Sequence, residues 1–210
     1  MSEHHEYERD PAEIYRRSFA IIRAEADLKR FLPSEERIVV RMIHTAGSVD
    51  LAQDIAFSPG FTDAAGAALR RGAPILCDAK MIVSGITRER MPANNEAVCL
   101  LDHADVPFLA QRDCTTRSAA AFALFRDRLE GAVVAIGNAP TALFRLLELF
   151  DETRARPAAI IGVPVGFVGA AESKQALEAD GRVPCMIVRG RRGGSALAVA
   201  ALNALGKDEE

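Results

Sequence analysis

Five short apolar runs, set between helix-like segments, constrain this chain more than any other feature. They fall at 74–78, 97–101, 132–136, 158–163 and 183–188. Each is continuous rather than alternating, the pattern of a strand covered on both faces. Helix-like segments occupy 59–71, 117–129, 142–150 and 172–179, and a last alanine-leucine helix starts at Ser195. Strands alternating with helices pair in parallel through right-handed crossovers. The expected architecture is a three-layer α/β/α domain with about five mostly parallel strands. Ligands of such folds bind beyond the carboxyl ends of the strands. That edge should carry Asp78-Ala79-Lys80, Gly137-Asn138-Ala139-Pro140, and the glycine-rich stretches 162–169 and 190–195.

The first fifty residues read differently. Asp10 is a good N-cap, Pro11 suits the first helical position, and Glu13 completes a capping box. Pro33 is expected to close this segment. Ser34 should cap a second helix, with Glu35 and Glu36 in its first turn and Gly47 just past its end. The run Ile38-Val39-Val40 also permits a strand. On the helical reading His44 lies in the last turn, where the helix dipole favours the imidazolium form. His44 ends an apolar run and stands three residues before a glycine. Histidine titrates nearest neutrality of all side chains, so it can exchange a proton without large tuning. The competing reading is an ordinary core or capping histidine.

At 210 residues the chain suits one domain. Residues 1–9 read as a flexible tail and 10–210 as a single domain. His4 and His5 in that tail offer at most a weak metal contact. A net charge of −3, no tryptophan and only two tyrosines argue against nucleic acid as a partner. No apolar run approaches the roughly 20 residues of a membrane span, and the tail lacks the apolar core of a signal peptide. Cys77, Cys99, Cys114 and Cys185 form no C-x-x-C pair and read as reduced thiols, which suggests the cytoplasm.

Specific chemistries are narrowed in the same way. No dinucleotide or P-loop glycine fingerprint is present, and no G-x-S-x-G. His44 has no second histidine at helical spacing, so no catalytic metal is expected. Nothing selects Asp50, Asp54 or Asp78 as a hydrolytic carboxylate pair. Arg16, Arg17, Lys80, Arg88, Arg117, Lys174, Arg191 and Arg192 recur where loops should meet the ligand edge. Each alone reads as a solvated charge; together they suit a polycarboxylate ligand.

Six blocks in order then carry a resemblance. They are Asp10-Pro11-x-x-Ile14 with Ser18-Phe19, Arg41-Met42-Ile43-His44 before Gly47, Pro74-Ile75-Leu76-Cys77-Asp78-Ala79-x-Met81, Thr115-Thr116-Arg117-Ser118-Ala119-Ala120, Gly137-Asn138-Ala139-Pro140-Thr141 and Gly162-Val163-Pro164-Val165-Gly166-Phe167-Val168. Together they resemble the precorrin-8X methylmutase family of cobalamin biosynthesis, over 10–205. The resemblance implies a homodimeric isomerase with sites near the subunit interface. It implies a methyl shift from ring carbon 11 to ring carbon 12 of a tetrapyrrole, giving hydrogenobyrinic acid or its cobalt form, without redox cofactor or catalytic metal. It makes His44 the general acid. Arg16, Arg88, Arg117 and Lys174 are then expected to anchor carboxylates, and Ser18, Thr45, Asn138 and Ser195 to make polar contacts. Two alternatives stay open. One is a tetrapyrrole carrier that passes hydrogenobyrinic acid to the next enzyme; the other is a nucleotide-binding α/β protein, which the missing fingerprints disfavour.

Overall fold

The structure, a computed structural model, describes residues 5–206. Residues 1–4 of the expected tail, His4 among them, lie outside the described residues; His5 to Arg9 are exposed and belong to no helix or strand. The first helix, α1, spans Pro11–Glu25. Asp10 caps it by accepting from the Ala12 amide at 3.0 Å. The expected capping box is not formed, because Glu13 pairs with Arg16 one turn on, at 2.6 Å.

Pro33 opens α2, Pro33–Ala46, rather than closing the segment before it. A proline lacks the amide that a first helical residue would leave unpaired. Ser34 is therefore already inside the helix, and its hydroxyl meets Thr62 Oγ1 at 3.1 Å. The Leu32 amide instead donates to Glu35 Oε2 at 3.0 Å. Ile38, Val39 and Val40 are buried along the helix, so tertiary packing overrides their β preference. Gly47 ends α2 with φ +63°, donating to the Ile43 carbonyl at 2.8 Å.

All five expected runs form strands: β2 (Ile75–Cys77), β3 (Ala97–Val98), β4 (Val133–Ile136), β5 (Ala159–Gly162) and β6 (Cys185–Val188). A sixth strand, β1 (Ile55–Phe57), was not expected. The sheet order is β1-β6-β5-β4-β2-β3. Every neighbouring pair is parallel except β1 with β6, where Ile55 faces Val188 in antiparallel register. The expected count of about five thus becomes six, with one antiparallel edge. Three residues are too few to show a period.

The remaining helices are α3 (Phe61–Arg70), α4 (Lys80–Gly85), α5 (Val106–Arg112), α6 (Arg117–Ala123), α7 (Pro140–Glu152), α8 (Ala170–Asp180) and α9 (Ser195–Gly206). α6 stops at Ala123, short of the expected 129, and a 3-10 turn follows at Arg126–Arg128. α4 and α5 had no counterpart in the sequence reading.

The pleat sends successive strand residues to opposite faces. Ile75, Cys77, Val133, Ala135 and Ile161 join Val39, Ile43, Leu69 and Leu202 in one buried cluster, the layer of α2, α3 and α9. Leu76, Val134, Ile136 and Ile160 join Phe122, Leu146 and Phe150 in the other, the layer of α6 and α7. This is the three-layer α/β/α arrangement. Burying each Val, Leu, Ile or Phe among them contributes about 1.5–3 kcal/mol, which is why the runs are apolar throughout. No helix among the described residues is long and apolar enough to cross a membrane.

Candidate active site at the end of helix α2

His44 is half-buried in the last turn of α2. Its Nδ1 lies 2.8 Å from Ser18 Oγ. The Tyr15 ring stands 5.3 Å from the imidazole, and Phe19 meets it edge-on at 5.5 Å. Positions 15, 18 and 19 share one face of a helix, so a single stripe of α1 grips the ring. The ring is thus fixed through one nitrogen and by packing.

His44 and Thr45 form one wall of a pocket of ≈ 600 Å³, with Tyr15 beside them. Met81 and Gly85 of α4, and Ala196 and Val199 of α9, form the others. Gly85 lets α4 approach closely, since a Cβ there would sit 2.7 Å from Val199 Cγ2. Asn203 ties the two helices together: it accepts from the Thr87 amide at 3.0 Å and donates to the Gly85 carbonyl at 3.2 Å. Thr45 spends its hydroxyl on the Arg41 carbonyl at 2.9 Å.

The carboxyl edge of the sheet adjoins this pocket, because Lys80 and Ser195 directly precede Met81 and Ala196 of its walls. Asn138 is exposed on the turn between β4 and α7. Ser195 packs on that turn; a Cβ on Gly137 would lie 2.8 Å from Ser195 Cα. Arg117 begins α6, donates to the Leu101 carbonyl at 3.2 Å and stands 4.0 Å from Asp102. Lys80 pairs with the same carboxylate. The Lys80 hydrogen bond, followed by both cations' charge, holds the Asp102 carboxyl below its usual range.

The other three basic candidates are engaged by the protein. Lys174 is fully buried and donates to the Arg192 carbonyl at 2.6 Å, under the 190–194 turn. Burial lowers its pKa to about 8, against a smaller opposing pull from Asp54. Arg16 is bound to Glu13 and Arg88 donates to the Asn95 carbonyl at 3.0 Å; neither lines the His44 pocket. Among the described residues no group of three His, Cys, Asp or Glu side chains is placed to hold a metal ion.

The family model for CbiC, precorrin-8X methylmutase, matches residues 13–207. The chain belongs to the precorrin-8X methylmutase family. It is 57% identical to the precorrin-8X methylmutase of Pseudomonas aeruginosa, over 98% of this chain and 99% of that one. It is 40% identical to the cobalt-precorrin-8 methylmutase of Methanothermobacter thermautotrophicus, over 94% of this chain and 95% of that one. The crystal structure of the precorrin-8X methyl mutase from Thermus thermophilus superposes with a TM-score of 0.83 at 43% identity, covering 92% of this chain and 94% of that one. The chain is accordingly an isomerase of cobalamin biosynthesis.

In this methylmutase the structure brings His44, Ser18 and Thr45 together, and Asn138 and Ser195 together on the adjoining edge. The sequence analysis did not single out Tyr15, Val199 or Asn203. The spacing of Tyr15 to Ser18 and Phe19 carried the signal for the first. α9 is apolar on most sides, so no periodicity marks which of its residues face the pocket.

Proposed function

We propose that this chain moves the methyl group from ring carbon 11 to ring carbon 12 of precorrin-8X, giving hydrogenobyrinic acid, with His44 as general acid. The observation that carries this is the His44–Ser18 pair on the pocket wall. In the imidazolium form Nδ1–H donates to Ser18 Oγ, which leaves Nε2–H to face a ring nitrogen. Protonation draws electrons toward the macrocycle and weakens the bond to the migrating methyl. The same electron pair forms the bond at the neighbouring carbon, and the ring then returns its proton to His44, so the shift is intramolecular, restores the acid and consumes no oxidant or reductant. One well-placed acid suffices.

Binding is distributed. Arg117 takes a substrate carboxylate, a role supported by its exposure at the start of α6, while exposed Asn138 and the adjacent Ser195 offer polar contacts. Lys174 supports the 190–194 turn from beneath, and Arg16 and Arg88 reach substrate only by giving up their present partners. The metal-free ring is favoured as substrate by the higher identity to the relative named for it, 57% against 40%. The protein works as a homodimer: Ile14, Tyr15, Ile21 and Leu32 are exposed by 44% to 62%, and Tyr15 borders the pocket. A second copy over this face would place each site near the interface.

Incubation with precorrin-8X, followed by the absorption spectrum, tests the reading. The spectrum should convert to that of hydrogenobyrinic acid. A ring that binds but keeps its spectrum would instead support a carrier that delivers product to the next enzyme.

A further inference from the structure

The most deeply buried carboxylate among the described residues has no part in the chemistry above. Asp78 follows β2 directly and is 4% exposed. Its Oδ1 accepts from the Gly137 amide at 3.0 Å, and its Oδ2 from the amides of Asn138 at 3.0 Å and Ala139 at 2.6 Å. These are the last amides before α7, whose first residue, Pro140, has none. Amides at the start of a helix ordinarily make a site for a ligand anion. Here the chain fills that site with its own carboxylate. Burial pushes the Asp78 carboxyl up from its ordinary value, and the amides of Gly137, Ala139 and Asn138 pull against it.

The turn so clamped is also pressed from its other side. A Cβ on Gly137 would lie 2.8 Å from Ser195 Cα and 3.0 Å from the Gly194 carbonyl oxygen. Ser195 starts α9, which supplies Ala196, Val199 and Asn203 to the His44 pocket. Three residues after Asp78 comes Met81, on the facing wall. One carboxylate therefore sits between the roots of both walls.

We propose that Asp78 is a positioning residue for the methyl shift: by clamping the 137–139 turn it sets α9 against α4 and so fixes the ring relative to His44. It also denies the amides of the 137–139 turn to substrate, whose carboxylates must then be met by side chains. This rests on the function proposed above. The role is one of placement, because Asp78 reaches amides and not the pocket.

Asp78→Asn tests it. The change keeps the shape but turns one oxygen into a donor that faces amides, so either one or two of the three bonds are lost. The assay is single-turnover conversion of precorrin-8X at saturation, below the melting temperature of the variant. Misplacement of the reacting groups should slow the saturated step roughly 10- to 100-fold. The shape of its pH profile should persist, because His44 still supplies the proton. A purely structural Asp78 would lower the melting temperature and leave the saturated rate at the wild-type value; that result overturns the proposal. A wild type that does not convert precorrin-8X would defeat the proposed function itself and this assignment with it.

Amide hydrogen exchange on the wild type gives a second arm, needed if the variant does not fold. Gly137, Asn138 and Ala139 should be protected in the free protein, with no further gain when hydrogenobyrinic acid binds. Fast exchange that becomes slow only with that product would mean that the ligand holds these amides, and would overturn the proposal.

Discussion

His44 owes its candidacy to the point at which α2 stops. Gly47 ends the helix in the left-handed conformation, and the turn before it carries the imidazole to the rim of the pocket. Ser18 then decides which nitrogen is spent on the protein. Lys174 shows the opposite use of an ionisable group. It is fully buried, and burial brings its pKa down from 10.5 to about 8. Its folded value lies below its unfolded one, so between the two the unfolded chain binds more protons. Raising the pH through that window therefore stabilises the fold. Urea midpoints taken at about pH 7.5 and about pH 10 should rise more for the wild type than for Lys174→Met. Equal changes in both proteins would mean that the lysine is not titrating in that window.

At the scale of elements, the pocket depends on how closely α4 lies on α9. Gly85→Ala would put a methyl 2.7 Å from Val199 Cγ2, on a β-branched side chain that cannot swing aside cheaply. The variant should lose about 1–3 kcal/mol of stability and bind hydrogenobyrinic acid more weakly. Adding Val199→Ala should restore much of both. Urea denaturation and a product titration measure this, and a fully tolerated Gly85→Ala would show that the two helices part easily. The elements also show what a sequence makes legible. β2, β4, β5 and β6 are buried on both faces, so their runs are continuous and stand out. β1 has three residues and α4 six, too few for a period to emerge. Pro33 was read as a stop because proline ends and begins helices alike; only the Leu32–Glu35 bond distinguishes the two.

Whole-molecule properties were legible only in part. The six motif blocks pointed to the family because they recur in one order along nearly the whole chain. They did not show which basic side chains the protein already engages. Glu13 takes Arg16 from three residues away, and Asn95 holds Arg88 through a carbonyl, contacts that no motif encodes. The exposed side chains of Ile14, Ile21 and Leu32 likewise acquire meaning only as a surface. Covering them is the basis for expecting a C2 dimer, the commonest assembly. Light scattering at micromolar concentration should give about twice the chain's 22.6 kDa. A mass of one chain under those conditions would contradict the dimer.

The proposed methyl shift rests on His44 as the proton donor. Its most direct test is single-turnover conversion of precorrin-8X by His44→Ala at saturating protein, read from the ring spectrum. Binding should survive, because it is spread over carboxylate and apolar contacts, while the shift should slow by roughly 10²- to 10⁴-fold, the usual share of a general acid. His44→Asn should be nearly as slow, since an amide donates a hydrogen bond but not a proton. A wild-type rate in His44→Ala would contradict the account and return His44 to a packing role.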